Sequence, residues 1–103
     1  MSDPMRIRAQ AASDKVTVRV LVSHEMETGL RKTADGKTVP ALYIQSISAT
    51  HNEKVVMSAQ WGPAVSKNPF IQFSFTGGKA GDKIAVTWVD NTGDKRTDEA
   101  TIS

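Results

Sequence analysis

"KVTVRVLV", residues 15–22, alternates almost without a break: Val16, Val18, Val20 and Val22 fall on one face, Lys15, Thr17 and Arg19 on the other. Successive side chains of a strand point to opposite sides, so this period of two describes a strand buried along one face. Leu21 is the exception, and it predicts that the end of this strand is covered on both sides. The same period recurs downstream. "KVVMSAQW" (54–61) aligns Val55, Met57, Ala59 and Trp61; "FIQFSF" (70–75) aligns Ile71, Phe73 and Phe75; "KIAVTWV" (83–89) aligns Ile84, Val86 and Trp88. "RIRA" (6–9) and "DEATIS" (98–103) are weaker versions at the two ends. "ALYIQSISATH" (41–51) is apolar on both faces, Leu42 and Ile44 against Tyr43, Ile47 and Ala49, which makes it either a central strand or a bulged one.

Turn signals separate these runs: Asn52-Glu53, the Gly77-Gly78…Gly81 stretch and Asn91-Thr92-Gly93-Asp94. No segment keeps a period of 3.6 for three turns. About seven short antiparallel strands in one domain spanning residues 1–103 predict an all-β, immunoglobulin-like β-sandwich. Its core should hold Val16, Val18, Val20, Phe73, Phe75, Val86 and Trp88. The antibody branch of that architecture, marked by Cys…Trp…Cys spacing, is excluded because the chain has no cysteine.

That lack of cysteine also rules out a disulfide, a thiolate metal site and a nucleophilic thiol. Thirteen Lys and Arg stand against eleven Asp and Glu. The basic residues run from Arg6 to Arg96 without a cluster and with few aromatic neighbours, so nucleic-acid binding is not expected. "MSDPMRIRAQ" (1–10) has no apolar core, so no signal peptide is expected there. No apolar run approaches the roughly 18 residues that a membrane span needs, so no membrane insertion is expected.

One stretch resists this scheme. "SHEMETGLRKTADGKTVP" (23–40) lies between two predicted strands, and connections beyond about 12–15 residues are usually functional or disordered. Gly29, Asp35-Gly36 and Pro40 punctuate it, which suggests an ordered, protruding hairpin with Asp35-Gly36 near its tip. Such a polar hairpin is most economically a recognition surface, with a purely structural hairpin as the competing reading. Imidazole plus thioether, His24 with Met26, is a copper-type ligand pair, but two ligands do not close a site and no metal or cofactor is expected. A copper- or metal-handling sandwich using His24 and Met26 is the alternative function. Glu25 and Glu27 share a side and read as a solvated acidic edge; His51, in "THNEKV", reads as a solvated turn residue. "TGGKAGDK" (76–83) does not fit a phosphate-binding loop and does not precede a helix. With two histidines in separate segments, a catalytic triad has little support and no enzyme activity is expected.

"LVSHEMETGLRKTADGKTVPA" (21–41), "SKNPFIQFSF" (66–75) and "AVTWVDNTGDKRTDEATI" (85–102), in this order, resemble the SoxZ family, one subunit of the SoxYZ carrier of bacterial sulfur oxidation. The resemblance runs from Arg6 to Ile102; Glu25 departs from it, standing where the family commonly has proline. It implies a non-catalytic partner of SoxY, whose C-terminal cysteine arm carries sulfur intermediates from thiosulfate onward among the Sox enzymes. It further implies a periplasmic heterodimer, reached by co-export with SoxY, and transient docking to those enzymes. The matching motifs put partner binding on His24, Met26, Glu27, Thr28, Gly29 and Arg31, with Asn68, Pro69 and Phe70 as a second element. Within that second element, Phe70 is either an exposed anchor or a core residue.

Overall fold

The computed structural model describes residues 3–103, and it contains seven antiparallel strands and no helix among them. They are β1 (Arg6–Ala12), β2 (Lys15–Leu21), β3 (Ile44–His51), β4 (Lys54–Gln60), β5 (Phe70–Thr76), β6 (Lys83–Asp90) and β7 (Lys95–Thr101). One sheet has the order β1-β2-β5 and the other β4-β3-β6-β7, so the all-β sandwich read from the alternating runs is the fold. In the constant-type immunoglobulin arrangement the fourth strand belongs to the first sheet. Here β4 pairs with β3 through a tight turn at Asn52-Glu53, both with positive φ as a type I′ hairpin requires.

The alternating valines of β2 are fully buried, Val16, Val18 and Val20 alike, together with Val22 just beyond the strand. Facing them from the other sheet are Ile44, Ile47, Ala49, Ile84, Val86 and Trp88. Burial of each such aliphatic side chain is worth about 1.5–3 kcal/mol, and this shared layer holds the two sheets together. β3 is both central and bulged. Its register shifts between Ile44 and Ser46, which brings Ile44 and Ile47, three apart in sequence, into the same core.

Three expectations fail at the margins of this core. β4 shifts register against Ala49/Thr50, and Val55 is left 61% exposed rather than joining Met57, Ala59 and Trp61. Phe73 and Phe75 are half-buried, because β5 is an edge strand and no neighbour covers its outer side. Leu21 is 40% exposed, since the outer face of its sheet has no second layer. His51 also departs from the turn reading. Its Nε2 lies 2.7 Å from Asp82 Oδ2 and its ring packs on Phe75, tying the β3–β4 turn to the β5–β6 loop. That hydrogen bond outweighs partial burial and holds the Asp82 carboxyl below the usual carboxylate range.

The two sides of the sandwich differ. β1 and β7 touch, and the inward-facing Arg96 and Asp98 of β7 pair at 2.8 Å while Asp98 also accepts the Met5 N–H. Burial raises the Asp98 carboxyl, but the Arg96 guanidinium and the Met5 amide more than offset it and hold it low. An inward charge pair on an edge strand discourages further pairing along that edge.

Candidate partner-binding site

The β2–β5 ladder does not end at Leu21↔Phe70. Val22 N–H donates to the Pro69 carbonyl, His24 N–H to Asn68 Oδ1, and Asn68 N–H back to the His24 carbonyl. The reciprocal clasp needs Asn68 in the left-handed region, φ 52°, which asparagine tolerates better than most residues. The two sequence elements singled out above are thus neighbours, although His24 and Asn68 stand 44 positions apart in the chain.

His24 is the hinge of this end. Its Nδ1 accepts the Met26 N–H at 3.1 Å, so the ring proton sits on Nε2, which donates to Asp90 Oδ2 at 3.2 Å. Both side chains are almost completely buried, and the imidazole meets the Trp88 ring edge to face at 5.0 Å between centroids. The other oxygen of Asp90 accepts three donors from the β6–β7 turn: Thr92 N–H, Thr92 Oγ1–H and Asp94 N–H. Burial pushes the Asp90 carboxyl up, but the hydrogen bonds from Thr92, His24 and the turn amides prevail and hold it below its ordinary value. A carboxylate fixed this way holds the imidazole in one tautomer and one orientation.

Met26 follows with φ 51°, its side chain buried and its sulfur accepting the Ile44 N–H at 3.4 Å. It is a core residue rather than a contact residue, because the left-handed turn points it inward. The copper-type reading of His24 with Met26 loses its ground here. Both imidazole nitrogens and the thioether are already engaged, and no group of three or more His, Cys, Asp or Glu is placed for a metal among the described residues.

From Glu27 to Leu42 the chain folds back on itself. Glu27 bridges Leu42, Lys32 bridges Thr38, Val39 N–H reaches the Arg31 carbonyl, and Thr33 and Lys37 close the turn that carries Asp35-Gly36. Thr28 Oγ1 accepts the Leu30 N–H. Gly29 has φ 86°, and a Cβ there would sit 3.1 Å from the Ala41 Cβ, so the residue serves backbone shape. Glu27 and Arg31 form a two-point ion pair at 2.9–3.2 Å; the guanidinium lowers the Glu27 carboxyl and is itself raised by it. Glu25 pairs instead with Lys67 at 3.4 Å, so the two glutamates do not act as one acidic edge.

The expected partner-binding residues therefore divide by place. His24, Met26, Asn68 and the buried Pro69 build the clasp, and Gly29 shapes the folded-back segment against Ala41. Thr28, Arg31 and Phe70 (57% exposed) are exposed and Glu27 is half-buried; Leu30, outside that set, is 83% exposed beside them. Phe70, open between core and anchor in the sequence, is on the surface. Asp90 and Asn91 were missed. Asn91 accepts the Tyr43 N–H and donates to the Ala41 carbonyl, pinning the return of the segment to β6. The only signal for either was the "DNTGD" turn (90–94), which discloses a turn and not what the turn holds.

No curated protein matches this sequence. Among solved structures, the hypothetical protein PH1083 from Pyrococcus horikoshii OT3 superposes with a TM-score of 0.66 at 16% identity, over 98% of this chain and 87% of its own. Superoxide reductase (neelaredoxin) from Ignicoccus hospitalis gives 0.65 at 15% identity, over 99% and 80%. Superoxide reductase (neelaredoxin) from Archaeoglobus fulgidus, in the reduced form, gives 0.60 at 19%, over 97% and 87%. At these identities the likeness is one of fold alone. The family model for the sulphur oxidation protein SoxZ matches residues 5–101, which takes in the clasp, the folded-back segment and all seven strands, and on that match the chain belongs to the SoxZ family.

Proposed function

We propose that this chain is the non-catalytic subunit of a SoxYZ heterodimer, holding a SoxY-type partner whose C-terminal cysteine carries the sulfur. The observation that carries the reading is that a chain matched by the SoxZ model over residues 5–101 contains no cysteine. Carrying sulfur covalently as a persulfide or S-thiosulfonate requires a thiol, and a thioether has no exchangeable S–H. The sulfur atom must then ride on another chain of the Sox system. A stiff base suits that role, because it limits the volume a tethered arm has to search. The clasp at His24, Asn68 and Asp90 supplies stiffness at one end, and Arg31, Thr28 and Phe70 offer contacts for the partner or for visiting Sox enzymes. We place the complex in the periplasm, with this chain exported alongside SoxY.

The test is co-expression with a SoxY-type subunit, followed by intact-mass spectrometry of both chains after exposure to thiosulfate and the upstream Sox enzymes. A one-to-one complex is expected, with every sulfur adduct on the partner's cysteine. A reproducible adduct on this polypeptide, or failure to form the complex, would refute the proposal.

A further inference from the structure

The charges of this protein are not evenly distributed over its two sheets. β1, β2 and β5 contain Arg6, Arg8, Lys15 and Arg19 and no acidic residue. All four cations are exposed on the outer face, because the alternate positions of β1 and β2 face the core. The strands of the other sheet mix Lys54, Lys83, Lys95 and Arg96 with Asp90, Asp98 and Glu99. None of the four outer cations takes part in an ion pair among the described residues; Arg19 donates only to Gln72 across the strand pair. In the β1–β2 register Arg8 lies directly opposite Arg19, an arrangement that is unfavourable in an isolated sheet. Guarding an edge against aggregation accounts for Arg6 and Arg8, which stand on edge strand β1. It does not account for Arg19, in the central strand. At one end of the same face, Leu21 and Phe70 are paired in register and both exposed, an apolar knob beside the cations and next to the clasp.

We propose that the outer face of the β1–β2–β5 sheet receives the SoxY-type subunit, through a carboxylate-bearing face of that partner with an apolar recess for Leu21 and Phe70. The inference rests on the proposed function and names the surface that serves it. Charge complementarity identifies the partner's chemistry. Three of the four cations are arginines, whose planar fork bonds a carboxylate at two points, and arginine and aromatic side chains are enriched in protein interfaces. Nucleic acid fits less well, since one aromatic ring at the margin gives no stacking platform along the basic strip. Covering Arg8 and Arg19 with acidic groups would also relieve their mutual repulsion.

The experiment measures the affinity of the purified chain for the purified SoxY-type subunit between about 50 and 300 mM salt, a range over which exposed charge pairs are progressively screened, with a melting curve for each variant. The set comprises wild type, Arg8→Glu, the double variant Arg8→Glu/Arg19→Glu, Phe70→Ala, and Lys54→Glu as a control on the other sheet. Expected are a loss of at least tenfold in affinity and a flatter salt dependence for the double variant, with the control within twofold of wild type. Arg8→Glu, by setting a carboxylate opposite Arg19, is expected to melt no lower than wild type while binding more weakly. Wild-type binding with unchanged affinity and salt slope in the double variant overturns this inference and leaves the proposed function standing. No binding by wild type overturns both. Duplex DNA bound by wild type and released by the same reversals, with the subunit's affinity unaffected, reassigns the face and overturns the inference.

Discussion

Replacing Asp90 tests the clasp most directly, and the conservative substitution is the more informative. In Asp90→Asn the side chain keeps its size and one oxygen but gains an NH2 group. Every neighbour of the carboxylate is a donor: His24 Nε2–H on one oxygen, and Thr92 N–H, Thr92 Oγ1–H and Asp94 N–H on the other. Either orientation of the amide therefore sets NH2 against a donor. The imidazole cannot give way by changing tautomer, because Nδ1 already accepts the Met26 N–H. Thr92 and Asp94 are exposed and can turn to water, whereas the His24 ring cannot. The expected cost is about 1–3 kcal/mol for the stranded buried donor plus roughly 1 kcal/mol for weakened turn bonds, hence about 2–4 kcal/mol. For a domain of this size that lowers Tm by roughly 10–25 °C. Calorimetry or denaturant unfolding of the isolated chain reads it. A change below about 0.5 kcal/mol would refute the reasoning, since surface substitutions already reach that size.

Acid should act on the same group. The Asp90 carboxyl is held below its unfolded value, so its contribution is present above the unfolded pKa and is lost as pH falls through the folded one. Asp90→Asn is accordingly expected to lose less stability than wild type between neutral pH and the acid end, measured as Tm against pH. Met26→Ala should cost about 2–5 kcal/mol in urea unfolding, as for other buried methionines; an effect near zero would return Met26 to the surface. Gly29→Ala should lower stability by about 1–2 kcal/mol, through its left-handed φ and the contact with Ala41, with faster amide exchange confined to 27–42. Phe70→Ala should leave Tm within a degree or two of wild type and weaken SoxY-type binding by at least fivefold; equal losses in both would make Phe70 structural.

Much of the architecture was legible because it depends on local period. The Val16–Val22 alternation and the run from Ile84 to Trp88 commit their residues to one face whatever the neighbouring strands are, and these positions are the core. Likewise the absence of cysteine is a property of composition, and no fold could supply a thiol. The family likeness was carried by "METG" and "NPF" in order, again a property of the chain itself. Which strand would stand at an edge was not legible, because it is set by pairing between distant segments. Phe73 and Phe75 carry the same pattern as Val18 and Val20, and only the place of β5 at the margin leaves them half-covered. The bulge of β3 was legible as one of two readings of its two-faced apolar run, whereas the register shift of β4 against Ala49/Thr50 is an agreement between two strands, which is why Val55 was misplaced. His24 gave no hint of its carboxylate partner, 66 residues away. The arginines scattered along the sequence became one face only when the β1–β2 register set Arg8 beside Arg19. Period and composition are fixed by near neighbours in the chain; charge fields, clasps and open edges are made by residues that only the folded sheets bring together.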